Sequence, residues 1–68
     1  MNKVIWELVS AHHKELPEQD KQWLQKLINR DSRYDAQLLN LEQKKEGVER
    51  LQFCVWMEII KLFQKYNI

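Results

Sequence analysis

The chain has 68 residues, with eleven basic and ten acidic side chains and a net charge of +1. This length allows one domain, residues 1–68, and the two signs of charge alternate along the sequence, so neither a multidomain protein nor a polyanion-binding tail is expected. With a single cysteine, Cys54, and no cluster of metal ligands, disulfides and structural metals are excluded as stabilising devices, and oligomerisation or dense helix packing must compensate.

The apolar segments argue against secretion and against membrane insertion. Glu7 follows the first lysine too closely for the apolar core of a signal peptide. The longest apolar-rich stretch, residues 51–63, is shorter than the roughly 20 residues of a membrane span and contains Gln52, Glu58 and Lys61. We therefore expect no membrane span and a cytoplasmic location.

Only one glycine and one proline interrupt a sequence rich in helix-forming residues, which predicts an all-α fold. The first helix is expected from about Asn2, a good N-cap, to about Glu15. Its apolar stripe comprises Ile5, Leu8, Val9 and His12. Leu16-Pro17 should end this helix, and a second helix should begin near Pro17, because proline suits the first helical turn.

The second helix carries an apolar stripe that ends after three turns. The stripe consists of Trp23, Leu24, Leu27 and Ile28. Residues 29–32 contain no apolar side chain and offer two good N-caps, Asp31 and Ser32. This pattern predicts a turn at residues 29–32, followed by a third helix.

From Tyr34 onward, a heptad pattern with alternating spacings of four and three continues almost to the end of the chain. Its positions are Tyr34, Leu38, Leu41, Lys45, Val48, Gln52, Val55, Ile59, Leu62 and Tyr66. The phase continues past Gly47, which favours one continuous helix, whereas the polar run at residues 42–46 favours a hairpin. The sequence thus predicts a small bundle of three or four helices with a long or hairpinned C-terminal helix.

The apolar part of the C-terminal helix is wider than the stripe of about 100° that a surface helix needs to meet its own core. One sector contains Leu51, Val55, Ile59, Leu62 and Tyr66, and a second contains Phe53, Trp56, Ile60 and Phe63. Either the first two helices flank the last one and bury both sectors, or the second sector meets another protein. The second interpretation is favoured because the first two helices supply few core residues.

On that interpretation the protein is a non-enzymatic protein-interaction protein, such as an adaptor, assembly factor or inhibitor, and forms a homodimer. The expected partner-binding residues are Phe53, Trp56, Ile60 and Phe63. Tryptophan is enriched at the energetic centres of interfaces, and Trp56 is the favoured anchor. Leu51→Ala and Val55→Ala should lower helix content more than self-association.

Catalytic, cofactor and metal sites are not expected. The side chains of His12 and His13 diverge by about 100° on a helix and cannot chelate one metal. Cys54 lacks the sequence context of a nucleophile, and no two carboxylates project from an evident pocket. We therefore expect no enzymatic activity, no cofactor and no bound metal.

The alternative function is that of a small dimeric DNA-binding transcriptional regulator, with a helix-turn-helix around residues 17–45. Arg30, Arg33 and Gln37 would lie near the start of its second helix. The low net charge and the presence of Asp31 and Asp35 beside these arginines argue against it, so nucleic acid is not the expected partner.

Overall fold

The computed structural model describes residues 1–39 and 45–68, and this part of the chain contains no strand. Its three α-helices are α1 (Lys3–His12), α2 (Glu18–Leu38) and α3 (Lys45–Gln64). The predicted all-α class is confirmed, and the arrangement fits a small helical bundle. Among the described residues, no helix is both long and apolar enough to cross a membrane.

The first helix begins where the sequence predicts, at the Asn2 N-cap. The Asn2 side chain accepts a hydrogen bond of 2.8 Å from the backbone N–H of Val4, which satisfies one of the free donors of the first turn. Ile5 and Val9 are buried, one turn apart on the inner side of α1. A 3₁₀ turn, His13–Glu15, continues α1 to the predicted end.

The Leu16-Pro17 segment connects α1 to α2 and also contributes to the core. Leu16 is extended, as expected for a residue before proline, and its side chain is only 3% exposed. Pro17 is the N-cap residue of α2. The predicted start of the second helix is therefore confirmed.

The predicted turn at residues 29–32 is wrong, because these residues lie in the middle of α2. The side of α2 that faces α3 follows a heptad pattern across this segment. Its positions are Asp20, Leu24, Leu27, Asp31, Tyr34 and Leu38. Asp31 occupies a buried core position, where its carboxylate has partners on α3, and so does not act as an N-cap.

The two long helices pack side by side and run antiparallel. Tyr66, just after the end of α3, bonds to Asp20 near the start of α2, and Gln52 in the first half of α3 bonds to Asp31 farther along α2. A single helix from Tyr34 to Tyr66 is therefore wrong, and the described helices form a hairpin.

Gly47 lies in the first turn of α3, so the alternative of a sharp turn at this glycine does not hold. Part of the predicted heptad and of the polar run, residues 40–44 with Leu41, lies outside the described residues.

The heptad pattern correctly predicts the buried face of α3. The core residues on this face are Val48, Gln52, Val55, Ile59 and Leu62. Leu51 was expected beside them, but it is 52% exposed. It lies at the edge of the stripe, on a side that α1 and α2 leave open.

The C-terminal end of α3 is closed by a Schellman motif. Asn67 adopts a left-handed conformation with φ of 59°, which asparagine tolerates better than most residues. The backbone N–H of Ile68 donates to the carbonyl of Phe63, and that of Asn67 donates to the carbonyl of Gln64. Ile68 then packs against the core, so the last turn contributes to burial.

Candidate functional site

A polar cluster within the bundle connects α2, α3 and the N-terminus. Gln52 Nε2 donates to Asp31 Oδ1 at 3.0 Å, and Trp56 Nε1 donates to the same oxygen at 2.7 Å. Gln52 also donates to Asp35 Oδ1. The Met1 amino group lies 3.4 Å from Asp31 Oδ2 and 3.1 Å from Asp35 Oδ2. Within the described chain, every buried side-chain nitrogen and oxygen therefore has a hydrogen-bond partner.

This polar cluster shifts the titration of two of its members. Burial alone would lower the pKa of the Met1 amino group, but Asp35 and Asp31 together raise it above the ordinary value of 8.0. Burial would likewise raise the pKa of Asp35, but the hydrogen bond from Gln52 and the terminal ammonium hold it below the ordinary value of 3.8. Both shifts favour the charged forms.

We expect the stability of the protein to be highest between these two ordinary pKa values. Because the pKa of the amino group is raised, this group adds to the free energy of unfolding. Its contribution is complete below pH 8.0 and is lost as the pH rises through the folded-state pKa. Because the pKa of Asp35 is lowered, this carboxylate also adds to the free energy of unfolding. Its contribution is complete above pH 3.8 and is lost as the pH falls through the folded-state pKa.

Urea denaturation should give a lower free energy of unfolding at about pH 9 than at about pH 6. Acetylation of the Met1 amino group removes its charge and should remove most of that difference. An acetylated protein that loses as much stability as the unmodified protein between the two pH values would contradict this role of the amino group.

The structure places the four predicted partner-binding residues at different depths. Phe53 is 58% exposed, whereas Trp56 and Ile60 are half-buried and pack against the core. Phe63 is completely buried in the same cluster as Ile5 and Val9 of α1, so the expectation that it lies on a free surface is wrong. The second apolar sector is therefore divided, with one part covered by α1 and one part exposed.

The exposed part of this sector also includes Met57, which is not among the four predicted partner-binding residues. Met57 is 37% exposed and follows Phe53 by one helical turn, so the two side chains are neighbours on the helix surface. Trp56 and Ile60 form the adjoining, half-buried edge. We call Phe53, Trp56, Met57 and Ile60 the α3 outer face. The spacing of four from Phe53 was the signal that could have identified Met57.

Charged side chains of both signs lie beside the α3 outer face. A shallow groove next to Phe53 is lined by Glu46, Glu49, Arg50 and Cys54. The thiol of Cys54 is exposed. An exposed apolar centre with polar and charged residues around it is the usual composition of a protein–protein interface.

The remaining exposed apolar side chains are distributed over other parts of the surface. Among residues 1–39 and 45–68, the large ones are Val4, Trp6, Trp23, Leu39 and Leu51. Trp6 lines a cavity of about 270 Å³ with Met1 and Ile28, above the carboxylates of the polar cluster. Single exposed apolar residues of this kind are normal in folded proteins and do not identify a site.

The histidines have local roles in the structure. His12 Nδ1 lies 2.7 Å from a carboxylate oxygen of Glu15, and His13 Nδ1 lies 3.0 Å from the carbonyl oxygen of Val9. Among residues 1–39 and 45–68, no three histidine, cysteine or acidic side chains are arranged to hold a metal ion. Comparison of the chain with models of protein families, with characterised proteins and with solved structures gives no match.

Proposed function

We propose that the protein acts by binding other protein chains through the α3 outer face, and that it forms a homodimer through this face. The observation that carries the proposal is the exposure of Phe53 and Met57, at 58% and 37%, on consecutive turns of one helix. Large apolar side chains grouped in this way lose contact with water when a partner helix or groove covers them. The proposal covers an adaptor, an assembly factor and an inhibitor alike.

The limited size of the chain supports self-association. A 68-residue chain buries only about 60% of the surface that its unfolded form exposes, and covering a further apolar face adds to stability. The edge formed by Trp56 and Ile60 provides an aromatic anchor beside Phe53. Glu49 and Arg50 beside this face provide one charge of each sign for the rim of an interface.

Two matched substitutions on α3 test the proposal. Phe53→Gln should weaken self-association at least about tenfold, because aromatic side chains at the centre of an interface contribute most of its binding energy. Leu51→Gln removes an apolar side chain of similar exposure, 52%, from another side of α3 and should change association by less than about threefold. Sedimentation equilibrium over about a hundredfold range of protein concentration measures both dissociation constants.

Circular dichroism should show the same helix content for both variants, since neither side chain belongs to the core. A wild-type protein that stays monomeric at the highest concentration would overturn the homodimer. Equal weakening by the two substitutions would mean that association does not use the α3 outer face.

A further inference from the structure

The outer side of α2 presents a row of basic side chains to solvent. Lys26, Arg30 and Arg33 follow one another at spacings of four and three, which places them on one side of the helix, and all three are exposed. Within the described parts of the chain, none of them forms an ion pair with an acid. We call this the α2 basic face.

The acids of α2 that lie near these basic residues in sequence point the other way. Asp31 and Asp35 bind Gln52 and the terminal ammonium group, and Asp20 accepts a hydrogen bond from Tyr66. From residue 19 to residue 37, the outward positions of α2 carry no acid. The carboxylates that argued against nucleic-acid binding in the sequence therefore do not lie on the basic face.

Amide side chains extend the α2 basic face along the helix. Gln22, Asn29 and Gln37 are exposed on the same side as the three cations, and Asn29 lines a shallow groove with Lys26, Arg30 and Arg33. The helix rises about 10 Å between Lys26 and Arg33, close to the major-groove width of about 12 Å in B-form DNA. Arginine and lysine bind phosphates, whereas glutamine and asparagine bind base edges, above all adenine.

We infer that the α2 basic face binds double-stranded DNA, with Lys26, Arg30 and Arg33 on phosphates and the amides directed at the groove. The major groove of duplex RNA is too narrow for a helix, which favours DNA over RNA. This face and the α3 outer face lie on different sides of the hairpin. DNA binding and self-association are therefore independent and can fail separately.

Fluorescence anisotropy with a labelled duplex of about 20 base pairs tests the inference at low ionic strength. We expect binding that weakens as salt is added, with a slope of about −3 in log affinity against log salt for each chain, because three phosphates are neutralised. Arg33→Gln should reduce this slope by about one. The triple variant Lys26→Gln, Arg30→Gln, Arg33→Gln should lose binding.

A second triple variant controls for net charge. Lys14→Gln, Lys61→Gln and Lys65→Gln remove the same charge from exposed positions outside both the α2 basic face and the α3 outer face, and this variant should retain affinity within about threefold. Circular dichroism checks that both triple variants keep the wild-type helix content. If the triple variant Lys26→Gln, Arg30→Gln, Arg33→Gln does not fold, the test is the single variant Arg33→Gln. Its slope of log affinity against log salt is then compared with that of the wild-type protein.

Three results would overturn the inference. The first is no binding of wild-type protein to the duplex at low salt. The second is an equal loss of affinity in the two triple variants, which would reflect net charge alone. The third is binding of a polyglutamate peptide as tight as binding of the duplex, which would make the partner an acidic protein.

Discussion

Asp31→Ala is expected to lower the free energy of unfolding by about 3–5 kcal/mol, because it removes a buried carboxylate that accepts from several donors, and each hydrogen bond to a charged group contributes about 1.5–3 kcal/mol. Asp31 is 2% exposed and holds three donors, which are the amide of Gln52, the indole N–H of Trp56 and the Met1 amino group. Without the carboxylate, the indole N–H of Trp56 loses its acceptor in a half-buried position.

A loss of this size is large for so short a chain. Domains are stabilised by about 0.05–0.15 kcal/mol per residue, which amounts to about 3–10 kcal/mol here. The Asp31→Ala protein should therefore be partly or largely unfolded at neutral pH. Urea denaturation followed by circular dichroism measures the change, and thermal denaturation measures it where the urea baseline is lost.

Two substitutions separate the causes of the loss. Asp35→Ala removes the other carboxylate, whose side chain is 46% exposed, and should cost only about 1 kcal/mol. Asp31→Asn keeps an oxygen that accepts from Trp56 but removes the charge opposite the terminal ammonium, so its loss should fall between the other two. Equal losses from Asp31→Ala and Asp35→Ala would contradict the central position of Asp31 in the polar cluster.

The role of Asp31 also marks the limit of what the sequence predicts about α2. An aspartate between Arg30 and Ser32 has every local property of an N-cap, and its burial depends on groups far away in the chain. Gln52 and Trp56 follow it by 21 and 25 residues. Local propensity therefore indicates a turn, whereas the tertiary contacts keep the helix continuous.

Other local signals agree with the structure. The Asn2 cap and the Pro17 start depend on backbone geometry at those positions, and both agree with the structure. The heptad spacing likewise predicted the buried positions from Val48 to Leu62, including the polar residue Gln52. The same spacing suggested one long helix because α2 and α3 each turn a heptad face toward the other, and periodicity cannot separate two such helices from one.

The candidate site could be predicted only in part, because a helical wheel describes one helix without its neighbours. It groups Phe63 with Phe53, although α1 contributes Ile5 and Val9 to the cluster that buries Phe63. It also omits Met57, which the fold leaves 37% exposed beside the half-buried Trp56 and Ile60. Which residues of the second sector are covered and which are exposed depends on how α1 and α2 pack against α3.

This division leads to a second large effect, from the same substitution at two phenylalanines of α3. Phe63→Ala should lower the free energy of unfolding by about 3–5 kcal/mol, because Phe63 is completely buried and its removal leaves a cavity that the surrounding core cannot fill. Phe53→Ala should change the stability of the monomer by less than about 0.5 kcal/mol, since its side chain is already 58% exposed.

The two variants should show the opposite order in self-association. At a concentration where the dimer is populated, Phe53→Ala should weaken association strongly, while any folded fraction of Phe63→Ala should keep the wild-type dissociation constant, because Phe63 does not reach the surface. Urea denaturation at a concentration that favours monomer, together with sedimentation on each variant, separates stability from association. If Phe63→Ala left stability unchanged but abolished the dimer, the two phenylalanines would belong to one exposed surface, and α1 would not cover the second sector in solution.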